Sequence, residues 1–193
     1  MVKAVKSGSR KASKKTKMPD AVQVGTKALS VAEVQSGYWA WTRNPSVARR
    51  VRTPIETGTV YSRMGRLLGE QIESEVDVLR IVNIGLPSSA LDRLMAEIDV
   101  DIRLVGSETT VRRRIQEKQN FTVDESERLV RLARITSMAE ELFGGTRAAT
   151  AWLSARSDYL PDSAPVSPLE LAATDAGARV VESMLLQTAH GVF

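Results

Sequence analysis

The chain has 193 residues, 42% of them hydrophobic and only 5% aromatic, enough to bury an aliphatic core in one or two small domains with a tail. It contains no cysteine, which excludes disulfides and thiolate metal sites. Net charge is +4, but residues 1–60 hold 12 Lys/Arg against Asp20, Glu33 and Glu56, leaving 15 basic and 20 acidic side chains for the rest. One end therefore suits polyanions and the remainder a different partner, although a solubilising tail gives the same asymmetry. No apolar run approaches the ~20 residues that span a bilayer, and the basic N-terminus lacks the apolar stretch of a secretory signal. No membrane partner is expected, and the location expected is the cytoplasm.

Residues 1–27 carry seven Lys/Arg before the first acid, Asp20, among Ser, Ala and Thr. Such a segment buries too little apolar surface to offset its ordering entropy. It is expected to be a basic, flexible N-terminal arm, either neutralising DNA phosphates or simply solvated. Residues 28–69 form an N-terminal extension. Ser30 to Glu33 has the spacing of a helix start, and Tyr38-Trp39-Ala40-Trp41 precedes Arg43, Arg49, Arg50 and Arg52. Aromatics beside arginines make a stacking platform for nucleic acid; equally, they dock an extension onto its own domain by burying area. No independent function is assigned to this region.

A domain is expected over residues 70–120. Ile72, Val76, Leu79 and Val82 recur at helical spacing and Gly85 ends that helix; Pro87-Ser88-Ser89 starts the next, with Leu91, Leu94, Met95 and Ile98 as its buried face. A short helix over Asp101 to Val105, a turn at Gly106 and an Arg-rich helix then have the shape of a helix-turn-helix. Thr110, Arg112, Arg113 and Arg114 on the second helix are the candidate DNA-binding residues. The alternative is a solvated helix whose arginines pair with Glu108 and Glu117.

Residues 121–193 read as a second set of helices. Thr122 with Glu125 has capping-box spacing, Leu132, Ile135, Ala139 and Leu142 share a face, and Gly144-Gly145 ends the helix near Phe143. Trp152 and Leu153 belong to the core with Leu132 and Phe143, Trp152 being expected to bury itself against the long helix near Phe143. Asp124 with Arg128, and Glu127 with Arg131, are four apart and are expected to form exposed ion pairs. Ser167-Pro168-Leu169-Glu170 repeats the helix-start signal, and Thr174-Asp175 opens a last helix with Val181, Met184, Leu185 and Thr188 on one face. After it come His190, Gly191, Val192 and Phe193.

Phosphate-binding Gly motifs, HExxH and EF-hand spacings are all absent. His190 is the lone histidine, and Glu140-Glu141 are neighbours on a helix surface that point in different directions. No catalytic residue, metal ligand or cofactor is expected, and the chain is not read as an enzyme.

A family resemblance rests on Ser126-Glu127-Arg128-Leu129, Arg131-Leu132-Ala133, Leu142-Phe143-Gly144, Ala151-Trp152-Leu153, Pro168-Leu169-Glu170-Leu171, Thr174, Gly177-Ala178-Arg179, Val181-Glu182 and His190-Gly191-Val192-Phe193. Together these resemble the toxin-binding domain of Xre/MbcA/ParS-type antitoxins of RES-domain toxin–antitoxin systems. Thr110, Val111, Arg113 and Arg114 resemble the second helix of the Xre-like helix-turn-helix. The loop from Pro161 to Ser167 is longer than the family's brief link, and the helix before the Gly106 turn is shorter.

The resemblance implies an all-α fold, with a central helix-turn-helix domain and a C-terminal helical toxin-binding domain at residues 121–193. It implies a type II antitoxin that binds and inhibits a RES-domain toxin acting on NAD by cleavage or ADP-ribosyl transfer. It also implies repression of its own operon through operator DNA, and a homodimer within a toxin–antitoxin hetero-oligomer. The tail from His190 to Phe193 resembles one that lies at the toxin's NAD pocket. Such a pocket offers cationic donors and an apolar slot, which a carboxylate beside Phe193 could occupy; alternatively Val192 and Phe193 pack back on their own domain. Two other functions stay open: a DNA-binding transcriptional repressor without a toxin partner, and a helical assembly adaptor.

Overall fold

A computed structural model describes residues 55–159 and 164–190. Residues 1–54, 160–163 and 191–193 lie outside the described residues, and with them the expected arm, the Tyr38–Trp41 segment and Gly191, Val192 and Phe193. Among the described residues there are eight α-helices and no strand: α1 (Thr57–Leu68), α2 (Glu75–Ile84), α3 (Ser89–Glu97), α4 (Glu108–Glu117), α5 (Val123–Phe143), α6 (Thr146–Leu153), α7 (Pro168–Leu171) and α8 (Asp175–Ala189). A single 3-10 turn, Ile102–Leu104, precedes α4. The fold is all-α, as expected.

The 21-residue α5 is the axis against which α1, α2, α3, α6 and α8 pack. Its start is fixed as its sequence requires: Thr122 accepts from the backbone N–H of Glu125 while the Glu125 carboxylate accepts from that of Thr122. Its end falls at Gly144, whose φ of 75° is the left-handed value that relieves a C-cap. Capping boxes of the same kind open α2 (Ser74 with Asp77) and α7 (Ser167 with Glu170). The buried side chains before residue 120 and those after it join in one cluster, from Val60 and Met64 on α1 to Val181 and Leu185 on α8.

Two expected faces are corrected. On α2, Val76 and Leu79 are 72% and 58% exposed, and Val78, Ile81 and Val82 make the buried face. The helix begins only after Ser74, so Ile72, which is buried, belongs to the preceding loop and does not set the phase. Val76 and Leu79 then fall roughly 100–160° round the helix from Val78. On α3, Met95 is 42% exposed while Ala90, Leu91 and Leu94 are buried. The expected ion pairs on α5 do not form either. Arg128 donates to the carbonyl of Val105 at 2.9 Å and Arg131 to that of Ala173 at 3.3 Å, binding carbonyls that loop ends leave free.

α1 was not expected as a helix. Val60, Met64, Leu67 and Leu68 are all buried at helical spacing, but Glu56 at its N-cap makes no side-chain cap.

Candidate functional site

The candidate recognition helix is α4. Before it, Asp101 accepts from the backbone N–H of Arg103, and the expected first helix shrinks to the 3-10 turn. Ser107 caps α4 by accepting from the backbone N–H of Thr110, and its hydroxyl donates to Thr110 Oγ1 at 2.7 Å. Thr110 is therefore engaged in the local turn. The three arginines divide by environment. Arg112 is exposed and bridges to Glu108 at 2.8 Å, one turn away. Arg113 is exposed and makes no ion pair or hydrogen bond with a described residue. Arg114 turns inward, with Nη1 donating to the carbonyl of Asn120 at 3.1 Å. Its Nε lies 2.9 Å from Glu125 Oε2, an ion contact whose N–H is not aligned for a hydrogen bond. Glu125 thus serves both the cap of α5 and the anchoring of α4.

The core residues named for the C-terminal region lie together. Leu132, Phe143, Trp152 and Leu153 are at most 6% exposed, and the rings of Phe143 and Trp152 sit 5.6 Å apart at 42°. Such tilted pairs add about 0.5–1.5 kcal/mol to the area they bury. Tyr159, nearly fully buried, has its hydroxyl pushed up to about 12 by burial.

Sequence reasoning missed Glu140. Expected on a helix surface, it is 0% exposed, accepting from Arg66 Nη2 at 2.7 Å and from the Thr146 hydroxyl at 2.8 Å, with Arg63 Nη1 at 3.6 Å. Glu141 takes Arg63 at 2.9 Å and remains near the surface. The pairing fastens α1 to the end of α5 and the start of α6. The available signal was that Arg63 and Arg66 lie on the face of α1 adjoining its apolar stripe.

The tail's anchor is α8. Thr174 caps it, accepting from the backbone N–H of Gly177. A Cβ at Gly177 would stand 1.9 Å from the carbonyl oxygen of Leu171, so that only glycine lets α8 pass this close to α7. Val181, Met184, Leu185 and Thr188 are buried, and His190 caps the C-terminus in an exposed position. Along its N-terminal half α8 borders α2 and α5. There Glu75 accepts from Arg134 at 2.6 Å and from the Tyr61 hydroxyl at 2.9 Å. Burial pushes the Glu75 carboxyl up, but the Arg134 and Tyr61 hydrogen bonds outweigh it and hold the group below the ordinary range. No helix among the described residues is long and apolar enough to cross a membrane.

Compared with known proteins, the chain matches no family model. It is 43% identical over 82 residues to "Antitoxin Xre" of Pseudomonas putida, a match covering 42% of this chain and 50% of that relative. It is 29% identical over 157 residues to "Antitoxin Xre" of Yersinia enterocolitica, covering 79% of this chain and 93% of the relative. A third relative, "Prs ADP-ribosylating antitoxin" of a Sphingobium species, is 29% identical over 131 residues, 62% of this chain and 82% of its own. These similarities place the chain among the relatives of the Xre-type antitoxins.

Proposed function

We propose that the protein is the antitoxin of a type II toxin–antitoxin pair, an inhibitor with no catalysis of its own. Its partner is a RES-domain toxin that consumes NAD or transfers ADP-ribose from it. The observation that carries this reading is the run of relatives named as antitoxins, joined to the motif residues that α5, α6, α7 and α8 hold in place. In this reading α5 to α8 form the toxin-binding region, and His190 to Phe193 enters the toxin's NAD site. The geometry that supports the tail's role is α8: its buried face and the contact at Gly177 hold the helix rigidly, and His190 lies exposed at its end. A group presented from the end of a rigid helix pays little ordering entropy when it binds.

Deleting His190 to Phe193 tests the tail. The shortened chain is expected to copurify with the toxin, while NAD turnover returns within the complex. Inhibition undiminished by the deletion would place the block elsewhere on the antitoxin.

A second activity, repression of the operon, is favoured by one observation. Arg112 and Arg113 lie exposed on a capped helix after a tight turn, while Arg114 and Glu125 fix that helix to α5. In a homodimer two such helices would address half-sites about 34 Å apart on one face of a duplex.

A further inference from the structure

The face built by α2, α5 and α8 sets apolar side chains in water beside two carboxylates, Glu127 and Glu182, that make no hydrogen bond or ion pair among the described residues. Leu79 of α2 is 58% exposed and Leu186 of α8 is 42% exposed. Two grooves adjoin there. The larger, about 340 Å³, is lined by Glu75, Leu79, Glu127, Arg134 and Glu182 among others. The smaller, about 190 Å³, is lined by Ile55, Tyr61, Arg134, Glu182 and Leu186 among others. The cations of this face are already engaged: Arg134 with Glu75 at 2.6 Å, Arg179 with Asp175 at 2.5 Å, and Arg131 with the Ala173 carbonyl at 3.3 Å. Glu127 and Glu182 make no hydrogen bond or ion pair with another described residue, and Glu182 is half-buried. Burial pushes the Glu182 carboxyl up and prevails over the nearby Arg134 and Arg179 charges, which pull it down.

The course of the chain says what can cover this face. Ile55, the first described residue, lines the smaller groove and packs against the core, so the described part of the chain begins at the groove itself. Residues 34–54 include Tyr38, Trp39, Trp41, Arg43, Arg49, Arg50 and Arg52 and no acid. The 14 residues from Trp41 to Ile55 span at most about 50 Å when extended. A short tether holds such a segment at an effective concentration of about millimolar, ahead of any free competitor at micromolar concentration. We infer that residues 38–53 of this same chain dock on the α2–α5–α8 face, the two indoles covering Leu79 and Leu186 and the arginines pairing with Glu182 and Glu127. The N-terminal extension is thereby tied to α8, the helix that carries His190.

The absence of cysteine permits a direct test on the full chain. Asn83→Cys places an exposed thiol one turn beyond Leu79, where an attached bimane is quenched by a tryptophan in contact with it. In dilute protein the label is expected to be quenched, and to brighten several-fold in Trp39→Ala/Trp41→Ala and again in Leu79→Glu. Trp152 is unchanged in these variants and 2% exposed, so it contributes nothing to the difference. Circular dichroism is expected to be identical throughout, since none of the three substituted side chains belongs to the described core; should Leu79→Glu fail to fold, the tryptophan pair decides alone. Equal brightness with and without Trp39 and Trp41 overturns the inference. So does quenching that appears only when unlabelled chain is added, which would make a second copy the occupant.

Discussion

Glu140 shows how one side chain can fasten two parts of a helical protein. It is fully buried, while the arginines that serve it, Arg63 and Arg66, are 32% and 46% exposed. The two sides of the pairing are therefore unequal. Removing both arginines leaves a carboxylate in the core without a counterion, a change that costs about 3–5 kcal/mol. Glu140→Gln keeps the neutral hydrogen bond with Thr146 and releases cations that water can reach, so it is expected to cost markedly less. Urea denaturation of Arg63→Met/Arg66→Met against Glu140→Gln checks this ordering; equal losses would mean that the pairing acts through packing and not through charge.

At the scale of elements, capping chemistry made most of the fold legible. Thr122 with Glu125, Ser167 with Glu170, and Thr174 mark the starts of α5, α7 and α8 because a side-chain oxygen meeting a backbone N–H three residues on leaves a local signature in sequence. α1 lacks such a cap at Glu56 and went unread, although Val60, Met64, Leu67 and Leu68 kept the period. The face of α2 was misread because Val76 and Leu79 are as apolar as Val78 and Val82, and only tertiary packing chooses between them. The partners of Arg128, Arg131 and Arg114 could not be read from i,i+4 spacing, since they are carbonyls and a carboxylate brought close by the fold.

Three expectations belong to this scale. The Glu170 carboxyl is held below its ordinary 4.5, first by the Ser167 backbone N–H, and the Asp77 carboxyl below 3.8, first by the Ser74 hydroxyl. A depressed folded-state value means that the stabilisation is full above the ordinary value and is lost as pH falls through the depressed one. The starts of α2 and α7 are expected to fray as pH drops below about 4, and amide exchange near Asp77 and Glu170 measured from pH 5 downward would show it. For α4, Arg112→Ala/Arg113→Ala is expected to weaken operator binding and flatten its salt dependence by about 0.9 per lost phosphate contact, leaving the fold intact. Arg114→Ala is expected instead to lower the melting temperature, because its guanidinium joins α4 to Glu125 and Asn120. Electrophoretic mobility shifts over a salt series distinguish the two, and a double variant that binds the operator as tightly as the parent would remove α4 as the DNA reader.

For the whole molecule, the organising fact is that α5 serves both regions. Its first turn anchors the candidate DNA helix through Glu125, its middle packs on α8, and its last turns hold α1 and α6 through Glu140 and Phe143. The proposed toxin-binding and DNA-binding surfaces thus share one element, α5. The most direct test is to purify a RES-domain toxin of the kind proposed as the partner, alone and after coexpression with this chain, and to follow NAD in each preparation. The account predicts a stable complex in which NAD persists, against rapid loss of NAD with the toxin alone. Absence of a complex, or NAD loss unchanged by a saturating amount of this chain, would contradict it.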